Sequence, residues 1–136
     1  MKKVRVTLLF AVVMSVAVPS TAKVVKVTVS SDSENGGYEA YRAMDGDPTS
    51  MWHTVWDVGE TPHPHDLVLD LGRTFEITGF VYRPRRGRGN GTIKDYEFYV
   101  SNDKKKFGTP VAKGTFTKRD DRNEVTLKSN VKGRYL

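Results

Sequence analysis

Apolar and polar positions alternate with a period of two along most of the chain. Val25, Val27 and Val29 alternate with Lys26 and Thr28, and Leu67, Leu69 and Leu71 with Val68 and Asp70. Tyr96, Phe98 and Val100 alternate with Asp95, Glu97 and Tyr99, and Val125 and Leu127 with Glu124, Thr126 and Lys128. Residues Ile77 to Tyr82 are β-branched or aromatic at most positions. Alternation over short runs puts one set of side chains on a core face and the other in water, so these runs predict strands of an all-β sandwich or barrel. The segment Tyr38–Met44 has room for one turn of helix at most.

The residues between the runs fit turns. Asn35-Gly36-Gly37, Asp45-Gly46-Asp47-Pro48, Leu71-Gly72 and the glycine-rich stretch from Gly87 to Gly91 tolerate positive φ or bend the chain. In Thr61-Pro62-His63-Pro64-His65 two prolines remove two backbone donors, which excludes a sheet interior. No repeat and no internal boundary is visible, so residues 23–136 read as one β domain. Gly133-Arg134-Tyr135-Leu136 reads as a strand just beginning, which predicts a domain truncated before its last strand.

The first 22 residues break the pattern. Lys2, Lys3 and Arg5 precede an apolar run from Val6 to Val18, and Ser20-Thr21-Ala22 offers a small-residue cleavage site. This is the anatomy of a secretory signal peptide, and it predicts a secreted or periplasmic protein after cleavage near Ala22. The apolar run falls short of the about 20 residues that a membrane-spanning helix needs. Removing residues 1–22 lowers Lys+Arg from 22 to 19 against 16 Asp+Glu, so the net charge falls from +6 to +3. A charge that small does not by itself point to nucleic acid. Cysteine is absent, which excludes a disulfide framework and thiol catalysis.

Three constellations carry candidate chemistry. In Asp45-Gly46-Asp47-Pro48-Thr49-Ser50 two carboxylates and two hydroxyls share a tight turn, the hard-oxygen chemistry that calcium selects, or else an Asx turn bonding its own backbone. Trp52-His53-Thr54-Val55-Trp56 sets two indoles around an imidazole. The expectation is a buried Trp52 and an exposed Trp56 beside His53, where a pyranose C–H face could lie on the ring. Arg83, Arg85, Arg86 and Arg88 cluster ahead of Asn90 in a glycine-rich loop; they suit hydroxyls, carboxylates, sulfates or phosphates, and the bland alternative for Arg83, Arg86 and Arg88 is a solvated loop. His63 and His65 read as a structural turn rather than a metal pair, and Lys104-Lys105-Lys106 as a solvated hairpin tip. No Gly-x-Ser-x-Gly, His-Glu-x-x-His or phosphate loop is present, so the chain reads as non-catalytic.

Several segments in order carry a family resemblance: Ala43-Met44-Asp45-Gly46-Asp47-Pro48; Trp52-His53-Thr54 with Trp56; Leu67 to Gly72; Ile77-Thr78-Gly79-Phe80; Tyr82-Arg83-Pro84-Arg85; Asn90-Gly91; Ile93 to Glu97; and Gly133-Arg134-Tyr135-Leu136. Together they resemble the coagulation factor V/VIII type C (discoidin) fold, and more closely its family-32 carbohydrate-binding modules. The resemblance implies a jelly-roll β-sandwich of the galactose-binding-domain type over residues 24–136. It implies a shallow site for galactose-configured glycans built from His53, Trp56, Arg85 and Asn90. It also implies a structural calcium held by the carbonyl of Arg42, the carboxylate of Asp45, the carbonyl of Asp47, and Ser50. The cage's usual glutamate and a late aromatic wall of the sugar site would fall on the strand that the chain lacks.

The expectation is therefore a non-catalytic, exported glycan-binding module, with a catalytic domain possible in a parent protein such as a secreted glycoside hydrolase or sulfatase. Nucleic acid and a membrane span are not expected. Two rivals remain: a binder of sulfated glycan or nucleic acid using the Arg83–Arg88 loop, which would weaken steeply with salt, and a protein-adhesion module on the same sandwich.

Overall fold

The computed structural model describes residues 24–30, 32, 36–56, 58–59, 61–85, 87, 91–117 and 121–136, together with the backbone of residues 3–9. Its centre is one long strand. Six strands are present among the described residues: β1 (Lys3–Leu9), β2 (Lys26–Val29), β3 (Leu67–Arg83), β4 (Asp95–Phe98), β5 (Ala112–Thr115) and β6 (Asn123–Tyr135), with a 3₁₀ helix at Ala40–Met44. β2 runs antiparallel to the first part of β3, from Lys26 opposite Asp70 to Val29 opposite Leu67. β6 runs antiparallel along β3 from Tyr82 opposite Asn123 to Asp70 opposite Tyr135. β4 and β5 form a second, antiparallel sheet, with Asp95 opposite Thr115 and Phe98 opposite Ala112.

The alternation predicts separate strands at Leu67–Leu71 and Ile77–Tyr82, whereas β3 is continuous through both. The predicted turn at Gly72 survives as an irregularity: Gly72 has φ +77°, and the β6 register shifts between Asp70 and Phe75. A glycine at positive φ lets the chain bend there without leaving the ladder. β1 was not anticipated as a strand. It lies parallel to β3, from Lys3 opposite Glu76 to Leu9 opposite Arg83, and supplies partners to an edge that would otherwise carry open backbone donors and acceptors.

The core lies between the two sheets. Leu69, Leu71, Phe75, Ile77, Phe80 and Tyr82 of β3 pack with Phe98 of β4, Leu127 of β6, Val100 and Leu136. Burying each large side chain contributes about 1.5–3 kcal/mol. Aromatic pairs tie the sheets together, with Phe80 and Phe98 centroids 4.4 Å apart and Tyr82 and Phe116 4.6 Å, while Tyr96 and Phe116 stack at 4.3 Å on the β4–β5 side. The Tyr82 hydroxyl accepts the Ile93 N–H at 2.8 Å, and burial pushes its pKa up to about 12. β3 and β6 also approach closely at Gly79, where a Cβ would stand 2.2 Å from the Val125 carbonyl oxygen. The partly exposed Asp70 carboxylate accepts two hydrogen bonds from Arg134, at 2.7 and 2.9 Å, and these hold its pKa below the usual aspartate value.

Candidate functional site

A second, smaller core fixes the approach to the site. Ala43 of the 3₁₀ helix and Trp52 are buried together, with Val29, Met44 and Leu67 packed against them. The two anchors leave the turn between them, residues 45–50, in solvent, except that Ser50 is half-buried. Asp45 accepts the Asp47 N–H at 2.9 Å through Oδ1 and the Ser50 hydroxyl at 2.7 Å through Oδ2. The Ser50 hydroxyl also lies 3.3 Å from the Asp47 carbonyl oxygen. The Asp47 carboxylate turns to Thr49, accepting its hydroxyl at 2.6 Å and its N–H at 2.8 Å; the hydroxyl bond first, then the N–H, lowers the Asp47 pKa. The Arg42 side chain donates from Nε to Glu39 at 2.6 Å.

This geometry fits the calcium set in part. The Ser50 hydroxyl lies 2.7 Å from the Asp45 carboxylate and 3.3 Å from the Asp47 carbonyl, so it gathers hard oxygens of the kind calcium takes. Among the described residues no group of three or more His, Asp or Glu is placed to hold a metal, so carbonyl and hydroxyl oxygens would have to complete a cage. The same bonds also make a self-satisfied Asx turn.

The imidazole and indoles follow directly. Trp52 is 4% exposed and Trp56 57%, the division expected from the sequence. The His53 N–H donates to the Tyr38 carbonyl at 3.2 Å, which clips this segment to the chain before the 3₁₀ helix. Nδ1 of His53 lies 2.7 Å from the Thr54 carbonyl oxygen. A carbonyl can only accept, so Nδ1 carries the proton, and Nε2 of the neutral ring is left as an acceptor. His53 stands between two aromatics, with centroid distances of 6.1 Å to Tyr38 and 6.5 Å to Trp56, the latter edge-on at 72°.

Gly91, just after the arginine-rich stretch, reaches the same place. β3 ends at Arg83, Pro84 is buried and Arg85 is half-buried. At the far end of the loop, Gly91 has φ +76°, and a Cβ there would lie 3.0 Å from His53 Nε2. The structure thus brings together His53, Trp56 and Gly91, while Asn90 lies outside the described residues. Sequence reasoning missed Tyr38. Its place is set by a backbone bond fifteen residues along, which no local pattern announces.

His63 and His65 stack edge-on at 4.5 Å in the proline loop, and burial, then His63, lowers the His65 pKa. They have no third ligand of the His, Asp or Glu type among the described residues.

Comparison with known proteins identifies the scaffold. The F5/8 type C domain model matches residues 26–136. The chain belongs to the F5/8 type C domain family. Its solved structural neighbours are family 32 carbohydrate-binding modules, and it shares their β-sandwich. One is CpGH89CBM32-5 from Clostridium perfringens, in complex with GalNAc-beta-1,3-galactose, at 31% identity and a TM-score of 0.74, covering 81% of this chain and 78% of that one. Another is the family 32 module of C. perfringens NanJ in complex with galactose, at 27% identity and a TM-score of 0.69, covering 81% and 77%. A sialidase of Micromonospora viridifaciens is 41% identical over 90 residues, 63% of this chain and 14% of the sialidase. A galactose oxidase of Gibberella zeae is 36% identical over 90 residues, 65% of this chain and 13% of the oxidase. The F5/8 type C chain thus matches a small part of these curated relatives. Among its described residues no helix is long and apolar enough to cross a membrane.

Proposed function

We propose that this F5/8 type C domain is a non-catalytic module that binds galactose-configured glycans at His53, Trp56, Arg85 and Asn90. The observation that carries the reading is an indole 57% exposed, edge-on to an imidazole whose Nε2 is left to accept. Trp56 supplies an apolar face for the C–H side of a pyranose. His53 accepts a ring hydroxyl proton, while Arg85 donates and Asn90 does either. A sugar lacking the matching hydroxyl would strand these groups, which gives discrimination. The site is shallow, so affinity for a monosaccharide is weak.

Calcium at Arg42, Asp45, Asp47 and Ser50 would tie the exposed turn to the start of the Trp52–Trp56 segment and keep it in register. Leader cleavage near Ala22 would export the module and take β1 with it, uncovering the β3 edge from Glu76 to Arg83, and the sialidase and galactose oxidase relatives support an ancillary role beside a catalytic domain. The test is tryptophan fluorescence during titration with galactose and lactose. The reading expects a saturable change that disappears in Trp56→Ala and Arg85→Ala; no change in the parent chain, or an unaltered response in both variants, refutes it.

A further inference from the structure

Arg83 closes β3, and Arg122 immediately precedes β6. Tyr82 and Asn123 are partners in the antiparallel ladder, so Arg83 and Arg122 stand one step beyond that pair. Facing residues of such a ladder leave the sheet on the same side, and successive residues on opposite sides. Tyr82 belongs to the core cluster, so the ladder directs the two guanidiniums to the face away from it. Each arginine has a buried Nε with no hydrogen-bond acceptor among the described residues. Glu124 holds a terminal nitrogen of Arg122 at 2.9 Å, and both side chains of that pair are 38% exposed. Asp121 accepts the Arg122 backbone N–H through Oδ1 at 2.7 Å, and Arg83 is in no ion pair among the described residues.

Buried guanidinium N–H groups without acceptors are costly, and two neighbouring cations repel; an anion between them would relieve both. Arg85, which begins the sugar-site loop, lies two residues beyond Arg83. We propose that Arg83 and Arg122 form an anion subsite that reads a sulfate or carboxylate carried by the glycan bound at His53 and Trp56, an inference that rests on the glycan reading above. Guanidinium forks match both groups. The subsite gives Arg83 a role distinct from the solvated loop expected from the sequence, and it recruits Arg122, which the sequence did not mark.

Isothermal titration with galactose, galactose 6-sulfate and galacturonate at fixed ionic strength tests it, with inorganic sulfate alone followed by thermal shift against chloride. The proposal expects at least one charged sugar to bind about tenfold tighter than galactose. That preference should vanish in Arg83→Gln and in Arg122→Gln while galactose binding persists; which charged sugar is favoured separates sulfate from carboxylate. Charged sugars binding no tighter than galactose, or a preference surviving both substitutions, overturns the subsite. Should no sugar bind, the glycan reading fails, and the sulfate arm decides: a thermal shift lost in both variants supports the anion pair, and its absence refutes it. Arg83→Lys keeps the charge without the fork, and its expected loss of preference serves if Arg83→Gln does not fold.

Discussion

Two tryptophans four residues apart show how one short segment serves two ends. Trp52 is packed with Ala43, Val29, Met44 and Leu67, whereas Trp56 stands in solvent beside His53. The same side chain is buried as an anchor in one place and exposed in the other. What differs is the backbone. Trp52 sits at the start of a segment clipped to Tyr38 by the His53 N–H, and Trp56 lies beyond that clip.

The largest effect expected from this contrast is in stability. Trp52→Ala empties the small core and should cost about 3–5 kcal/mol, read from urea denaturation. Trp56→Ala should stay within about 0.5 kcal/mol while abolishing the sugar response. Equal costs at the two positions would erase the distinction.

Calcium sharpens the same boundary. If the Asp45–Ser50 turn is a cation site, calcium at a hundred times its dissociation constant adds about 2.7 kcal/mol, which chelator removes. Asp45→Ala should be indifferent to both treatments. A parent chain whose melting temperature ignores calcium and chelator would leave the turn as an Asx turn alone.

Gly91 probes the exposed side of the comparison. At φ +76°, with His53 Nε2 3.0 Å from where a Cβ would be, Gly91→Ala should cost about 1–2 kcal/mol in backbone strain. It should weaken sugar binding by displacing the imidazole, whereas Gly87→Ala, at φ +74° with open space around it, should strain the backbone without that loss. Comparing their affinities separates strain from displacement.

The smallest effect belongs to the packed side. The hydrogen bonds from Arg134 lower the Asp70 pKa, so the folded state favours the carboxylate more than the unfolded chain does. The stability this pair contributes is present above the ordinary aspartate range and is lost as pH falls through the lowered folded value. Asp70→Asn should flatten the acid limb of a stability–pH curve slightly, the pair being partly exposed.

The strands were legible because their signal is local: alternation at 26–29, 67–71, 77–82, 95–98 and 124–127 lies within β2, β3, β4 and β6. β5 was not, because Ala112-Lys113-Gly114-Thr115 has no apolar stripe and is fixed by pairing with β4, with Gly114 against the Tyr96 ring. The union of two runs into β3 depended on how Gly72 bends the chain, and a turn and a bulge begin with the same residue types. In the site, the two indoles could be assigned because the residues around them carried the pattern. Tyr38 beside His53 and Arg122 opposite Arg83 could not be, since both are placed by pairings between distant segments.

The central claim is that a hexose rests on Trp56 against His53. Side-chain NMR of the indole N–H and imidazole signals during galactose titration, with glucose as control, tests it most directly. The account predicts that galactose shifts the Trp56 and His53 signals and leaves Trp52 unmoved, with glucose weaker. Shifts confined to other residues, or none at all with galactose, would contradict it.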